Sequence, residues 1–84
     1  LEELRRLTGH IGWVKALSIA SDSRHGLSAS EDKTARWWDL ETGSEISQLS
    51  GHDGAVTACA ISPDNRQALT GGEDKTVRLW GLAD

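Results

Sequence analysis

The sequence predicts an all-β protein built from two copies of one four-stranded unit, and three observations carry that expectation. Residues 1 to 42 lie on residues 43 to 84 without a gap, with identical residues at 18 of the 42 positions. Each copy has a Gly-His pair near its start, Gly9-His10 and Gly51-His52, and a tryptophan near its end, Trp38 and Trp80. Each also carries Glu-Asp-Lys-Thr, at 31 to 34 and at 73 to 76, between two runs of strand-forming residues. A period in the low forties with these landmarks marks a four-stranded propeller blade.

The elements follow in chain order. Residues 2 to 7 have only Leu4 and Leu7 to bury, as their counterparts 45 to 49 have only Ile46 and Leu49. That suits an outer strand with one wet side. Leu1, Leu4 and Leu7 also mark a short helical face, and it is the repeat that favours strand. Val14 to Ala20 and Val56 to Ser62 are small and apolar on both faces, as an inner strand between neighbouring blades requires. Ser21-Asp22-Ser23 and Pro63-Asp64-Asn65 then supply turn chemistry. A third strand runs from Arg24 to Ser30 and from Arg66 to Gly72, and a fourth from Thr34 to Leu40 and from Thr76 to Leu82. The order is outer strand, three strands, outer strand, three strands, so eight strands are expected and the last blade lacks its outer one.

Composition excludes several classes. Cys59 is the only cysteine, so the chain holds no internal disulfide, and a reduced cytoplasmic setting is expected. No apolar run approaches a membrane span, and no signal-peptide pattern opens the chain. The net charge is -4 and the nine Lys and Arg are scattered, which offers no stripe for a nucleic-acid backbone. Methionine is absent, consistent with a removed initiator or with a longer parent chain.

Over its whole length the sequence resembles the WD-repeat (WD-40) β-propeller family. The match rests on Gly9-His10 and Gly51-His52, on Ser21-Asp22 and Ser62-Pro63-Asp64, on Asp32 and Asp74, and on Trp38-Asp39 and Trp80-Gly81. The signature dipeptide departs in the second copy, where Gly81 stands in place of Asp. The resemblance implies a circle of blades without catalysis of its own, serving as a platform for proteins or peptides. It also implies a structural hydrogen-bond tetrad, His10, Ser28, Asp32 and Trp38, repeated as His52, Thr70, Asp74 and Trp80. Such a relay is sound chemistry: an indole N–H needs an acceptor, a hydroxyl both accepts and donates, and a carboxylate holds the imidazole.

Asp, His and Ser together also invite the reading of a hydrolase triad. Against it, the set occurs twice in register, Thr70 replaces the supposed nucleophile in one copy, and no glycine-rich elbow surrounds Ser28. No metal or other cofactor is expected, because His10, His25, His52 and Cys59 lack close ligand spacing. Cys59 reads as a small hydrophobe. By resemblance, the loops around Gly-His and Glu-Asp-Lys share one disc face, which singles out Ile11, Trp13, Lys15 and Glu31, with Asp53, Ala55, Thr57 and Glu73, as a candidate partner-binding surface. Trp13 reads either as an exposed hot spot or as a residue packed across a blade junction. Trp37 aligns with Leu79 and reads as core or blade contact.

Two blades cannot cover their own faces, and propellers close with ~4 to 8. A ring closed by oligomerisation is therefore expected, four chains first and three second, with units 1-42 and 43-84 each contributing three strands of a blade and the outer strand of the blade before. The alternatives are a purely structural or designed assembly module and an excerpt of a larger propeller.

Overall fold

The computed structural model describes residues 2–82. Its strands are β1 (Val14–Ile19), β2 (His25–Ser30), β3 (Thr34–Asp39), β4 (Glu45–Ser50), β5 (Val56–Ile61), β6 (Gln67–Gly72) and β7 (Val77–Gly81). They form two antiparallel sheets, one of order β1-β2-β3-β4 and one of order β5-β6-β7. No helix is long and apolar enough to cross a membrane among the described residues.

The two sheets are built alike because their turns are. Asp22 accepts hydrogen bonds from the Arg24 and His25 amides, and Asp64 accepts one from the Arg66 amide. Ser23 and Asn65 take φ of 57° and 62°, and Lys33 and Lys75 take 73° and 69°, so the first two reversals of each sheet pass through the left-handed region at matching places. A bulge also recurs, between Val14 and Ala16 and between Val56 and Ala58.

One expectation is corrected. Residues 2 to 7 carry no strand, so the chain has seven strands among the described residues, not eight. A strand needs a free edge beside it. The counterpart segment, β4, finds β3. Residues 2 to 7 instead lie beside the turn after β3, where Arg5 donates to the carbonyls of Leu40 and Glu41.

The core sits between the sheets. Ala20, Leu27, Ala35, Trp37, Leu49 and Ala68 are buried there, with Cys59, Ile61, Trp80 and Leu82 packed against them. Strand β5 lies against β1 and β2. Ser21 adds a polar clasp: its hydroxyl donates to the Pro63 carbonyl at 3.1 Å, and its amide donates to the Asn65 side chain at 3.2 Å.

The outer face of each sheet is open, and the repeat shows what those faces are. Trp37 and Leu27, 2% and 1% exposed, face the second sheet, whereas their counterparts Leu79 and Leu69 are 63% and 46% exposed. Conversely Val56 is fully buried while its counterpart Val14 is 49% exposed, and Leu17 and Ile19 lie open where Cys59 and Ile61 are packed. Each free face is the repeat counterpart of a face that is buried inside the chain.

Candidate functional site

Two polar relays stand at equivalent places, one in each sheet. In the first, His10 on the loop before β1 puts Nδ1 2.8 Å from the Asp32 carboxylate and Nε2 2.6 Å from Ser28 Oγ on β2. The Trp38 indole on β3 donates to the same hydroxyl at 2.8 Å. The carboxylate only accepts, so Nδ1–H donates to Asp32; in the neutral imidazole Nε2 then accepts from the Ser28 hydroxyl, which in turn accepts from Trp38. The second relay repeats the pattern. His52 Nδ1 lies 2.9 Å from Asp74, Nε2 lies 2.7 Å from Thr70 Oγ1, and Trp80 donates to Thr70 at 2.8 Å.

Each carboxylate also gathers groups that sequence reasoning did not assign. Asp32 accepts from the Ile11 amide at 3.1 Å and from the amide and hydroxyl of Thr34. Asp74 accepts from the Asp53 amide at 3.0 Å and from the amide and hydroxyl of Thr76. Burial acts to raise the Asp32 carboxyl, but the hydrogen bonds from Thr34, His10 and the Ile11 amide outweigh it and hold it well below the usual carboxylate range. Asp74 is held low as well, chiefly by the Thr76 hydroxyl. A guanidinium stands near each carboxylate, Arg36 at 3.8 Å from Asp32 and Arg78 at 3.7 Å from Asp74. The signal for these groups was present, since Thr34, Thr76, Arg36 and Arg78 all fall in identical positions of the two copies.

Gly9 and Gly51 make room for those guanidinium groups. Their φ values are 149° and 148°, and a Cβ there would stand 2.8 Å from Arg36 Nη1 or 3.0 Å from Arg78 Nη1.

Chemically the relays are closed circuits. The Ser28 and Thr70 hydroxyls are buried and already bonded to both an imidazole and an indole, so neither is presented to a substrate as a nucleophile is. Among the described residues no three His, Cys, Asp or Glu side chains are grouped to hold a metal ion. Burial raises the Cys59 thiol to about 11, so it stays protonated at neutral pH.

The candidate surface residues occupy matching loops. The Glu31 amide donates to the Trp13 carbonyl and the Glu73 amide to the Ala55 carbonyl, both at 2.9 Å. Ile11 and Trp13 are 92% and 75% exposed. Lys15 pairs with Glu31 at 3.0 Å and lies 5.4 Å from the centre of the Trp13 ring. In the second copy Asp53, Thr57 and Glu73 are exposed and Ala55 is half-buried, with Ala55 and Thr57 standing where the first copy has Trp13 and Lys15.

Tandem antiparallel sheets of this order, each tied by a His-Asp-Ser/Thr-Trp relay, define a repeat protein of propeller blades. The chain belongs to the WD40 family: the family model described as "WD domain, G-beta repeat" matches residues 1–39 and again 43–81. It is similar to the small ribosomal subunit protein RACK1 of Schizosaccharomyces pombe, 56% identical over 46% of this chain and 12% of that protein. It is also similar to eukaryotic translation initiation factor 3 subunit I of Xenopus tropicalis, 41% identical over 55% of this chain and 14% of that protein. A third relative is a probable E3 ubiquitin ligase complex SCF subunit, sconB, of Arthroderma otae, 50% identical over 48% of this chain and 6% of that protein. The chain thus matches only a small part of the length of these relatives.

Proposed function

We propose that the chain is a non-enzymatic, cytoplasmic WD40 scaffold that binds proteins or peptides, and that copies of it associate head to tail into a ring. The observation that carries the assembly is the correspondence of faces: Leu69, Val77 and Leu79 lie open where Leu27, Ala35 and Trp37 are buried, and Val14, Leu17 and Ile19 lie open where Val56, Cys59 and Ile61 are packed. Two different faces that match across one chain make a heterologous contact, which closes into a ring or grows into a fibre. Four chains, eight blades, is the first choice and three chains the second. Units 1-42 and 43-84 are then the working repeats, each offset by one outer strand from the sheet it mostly builds. The two relays serve as ties between strands and loops and carry no chemistry.

Partner binding is supported by the family and by the relatives, two of whose names describe a subunit of a larger complex. On this chain the surface proposed for it is Ile11, Trp13, Lys15 and Glu31 with Asp53, Ala55, Thr57 and Glu73. Trp13 is its anchor.

A second reading is favoured by the small share of each relative that is matched. In it the open faces are covered by further blades of one longer polypeptide. Native mass spectrometry separates the two: the ring reading expects about four times 9.1 kDa for this chain. A stable, soluble monomer at micromolar concentration would overturn it and leave the second.

A further inference from the structure

We propose that Thr8 is a phosphorylation site, taken by a protein kinase that reads Arg5 and Arg6 ahead of it. The arginines stand at 5, 6, 24, 36, 66 and 78, and only Arg5 and Arg6 have a serine or threonine two or three residues on. For both it is Thr8. The fold does not ask for this pairing. Arg5, Arg6 and Thr8 fall on Ser47, Gln48 and Ser50 of the second copy, which keeps the hydroxyl and lacks both cations. Ser50 is besides tied into a sheet, at the end of β4 opposite Thr34. The first copy alone joins a cationic address to a hydroxyl outside any sheet.

A kinase must draw the segment around the hydroxyl into its own cleft, and residues 2 to 10 form neither strand nor helix, with Thr8 exposed. What holds them is weak on one side and firm on the other. Upstream, Arg6 pairs with Glu3 where the two side chains are 75% and 61% exposed, and Arg5 donates at the surface to the carbonyls of Leu40 and Glu41. Downstream, the His10 imidazole and the Ile11 amide fix the chain to Ser28 and Asp32. Residues 2 to 8 can therefore leave the surface while the sheets stay whole. In the cleft, carboxylates select the two guanidinium groups by charge and set which residue stands at the phosphate. The Thr8 Oγ1 then attacks the γ-phosphorus of ATP, and the new O–P bond forms as the bond to the β–γ bridging oxygen breaks. The hydroxyl proton passes to the kinase's carboxylate base, and ADP leaves. The product carries about −2 of charge at residue 8, directly ahead of the Gly9-His10 loop.

To test this, the folded chain is incubated with ATP, magnesium and the catalytic subunit of cyclic-AMP-dependent protein kinase, and intact-mass spectrometry follows the uptake of phosphate. A single addition of about 80 Da per chain is expected, and fragmentation should place it on Thr8. Thr8→Ala is expected to abolish it and Thr8→Ser to keep it. Arg5→Ser with Arg6→Gln installs the residues of the second copy and leaves the hydroxyl in place. That double variant is expected to lower kcat/KM at least about tenfold, with circular dichroism checking that the fold is kept. No uptake by the folded chain, a phosphate placed on another residue, or a rate that the double variant leaves unchanged would overturn the assignment.

Discussion

Trp37 and Trp38 are neighbours in sequence and opposites in chemistry. Trp38 turns its indole N–H to Ser28 at 2.8 Å, while Trp37, stacked on His25 at 5.0 Å, points its N–H where no acceptor is found among the described residues. An unpartnered buried donor is costly, so its removal offsets part of what a smaller ring loses in contact. Trp37→Phe is therefore expected to change stability by less than about 1 kcal/mol, and Trp38→Phe, which takes the indole donor from the buried Ser28 hydroxyl and leaves it only His10, to cost about 1 to 3 kcal/mol. Urea denaturation of the two variants checks this, and equal losses would contradict it. The carboxylates give a second residue-scale expectation. Asp32 and Asp74 titrate below their ordinary value in the fold, so their contribution is fully present above the unfolded value near about 3.9 and is lost as pH falls below it. Melting temperature should be flat near neutrality and fall below about pH 4. Asp32→Asn with Asp74→Asn should lower it at pH 7 and flatten the acid limb.

At the scale of strands and sheets, the second sheet is held to the first by β5, and Cys59 is the probe that chemistry provides there. Its Sγ lies 3.9 Å from the Leu27 carbonyl, and burial raises the thiol to about 11. A protonated thiol lodged between sheets reacts slowly. Labelling by a thiol reagent at pH 8 is expected to be at least about tenfold slower than for the urea-unfolded chain, and to speed up in Leu27→Ala, which loosens the same contact. A folded chain that labels at the unfolded rate would show that the sheets do not stay together. The strands themselves were legible because each turn is spelled twice: Asp22 and Asp64, and Asp32 and Asp74, mark reversals that local hydrogen bonds then make. Residues 2 to 7 carry no strand within one chain, because strand formation depends on a neighbouring edge as much as on the segment. Their composition matches β4, but the edge of β3 beside which they lie is already paired with β4.

For the molecule as a whole, the relays were readable at the level of residue types, since each member recurs after one period. What the sequence did not disclose is how two sheets meet. The clasp between Ser21 and Asn65 joins residues of different repeats, has no second copy to announce it, and depends on the angle at which sheets pack. Likewise, nothing in a hydropathy pattern separates Leu27 from Leu69, which are alike in sequence and unlike in burial because only one has a sheet before it.

That clasp has a consequence for how a ring would break. At the boundary between two copies, Pro63 would occupy the place of Ser21, and proline brings neither an amide hydrogen nor a hydroxyl to it. Polar seams inside each chain would therefore alternate with seams held by apolar packing and the outer strand. Under shear or dilution such a particle tears along every second seam. The pieces are whole chains with both walls bare, so the tear can heal.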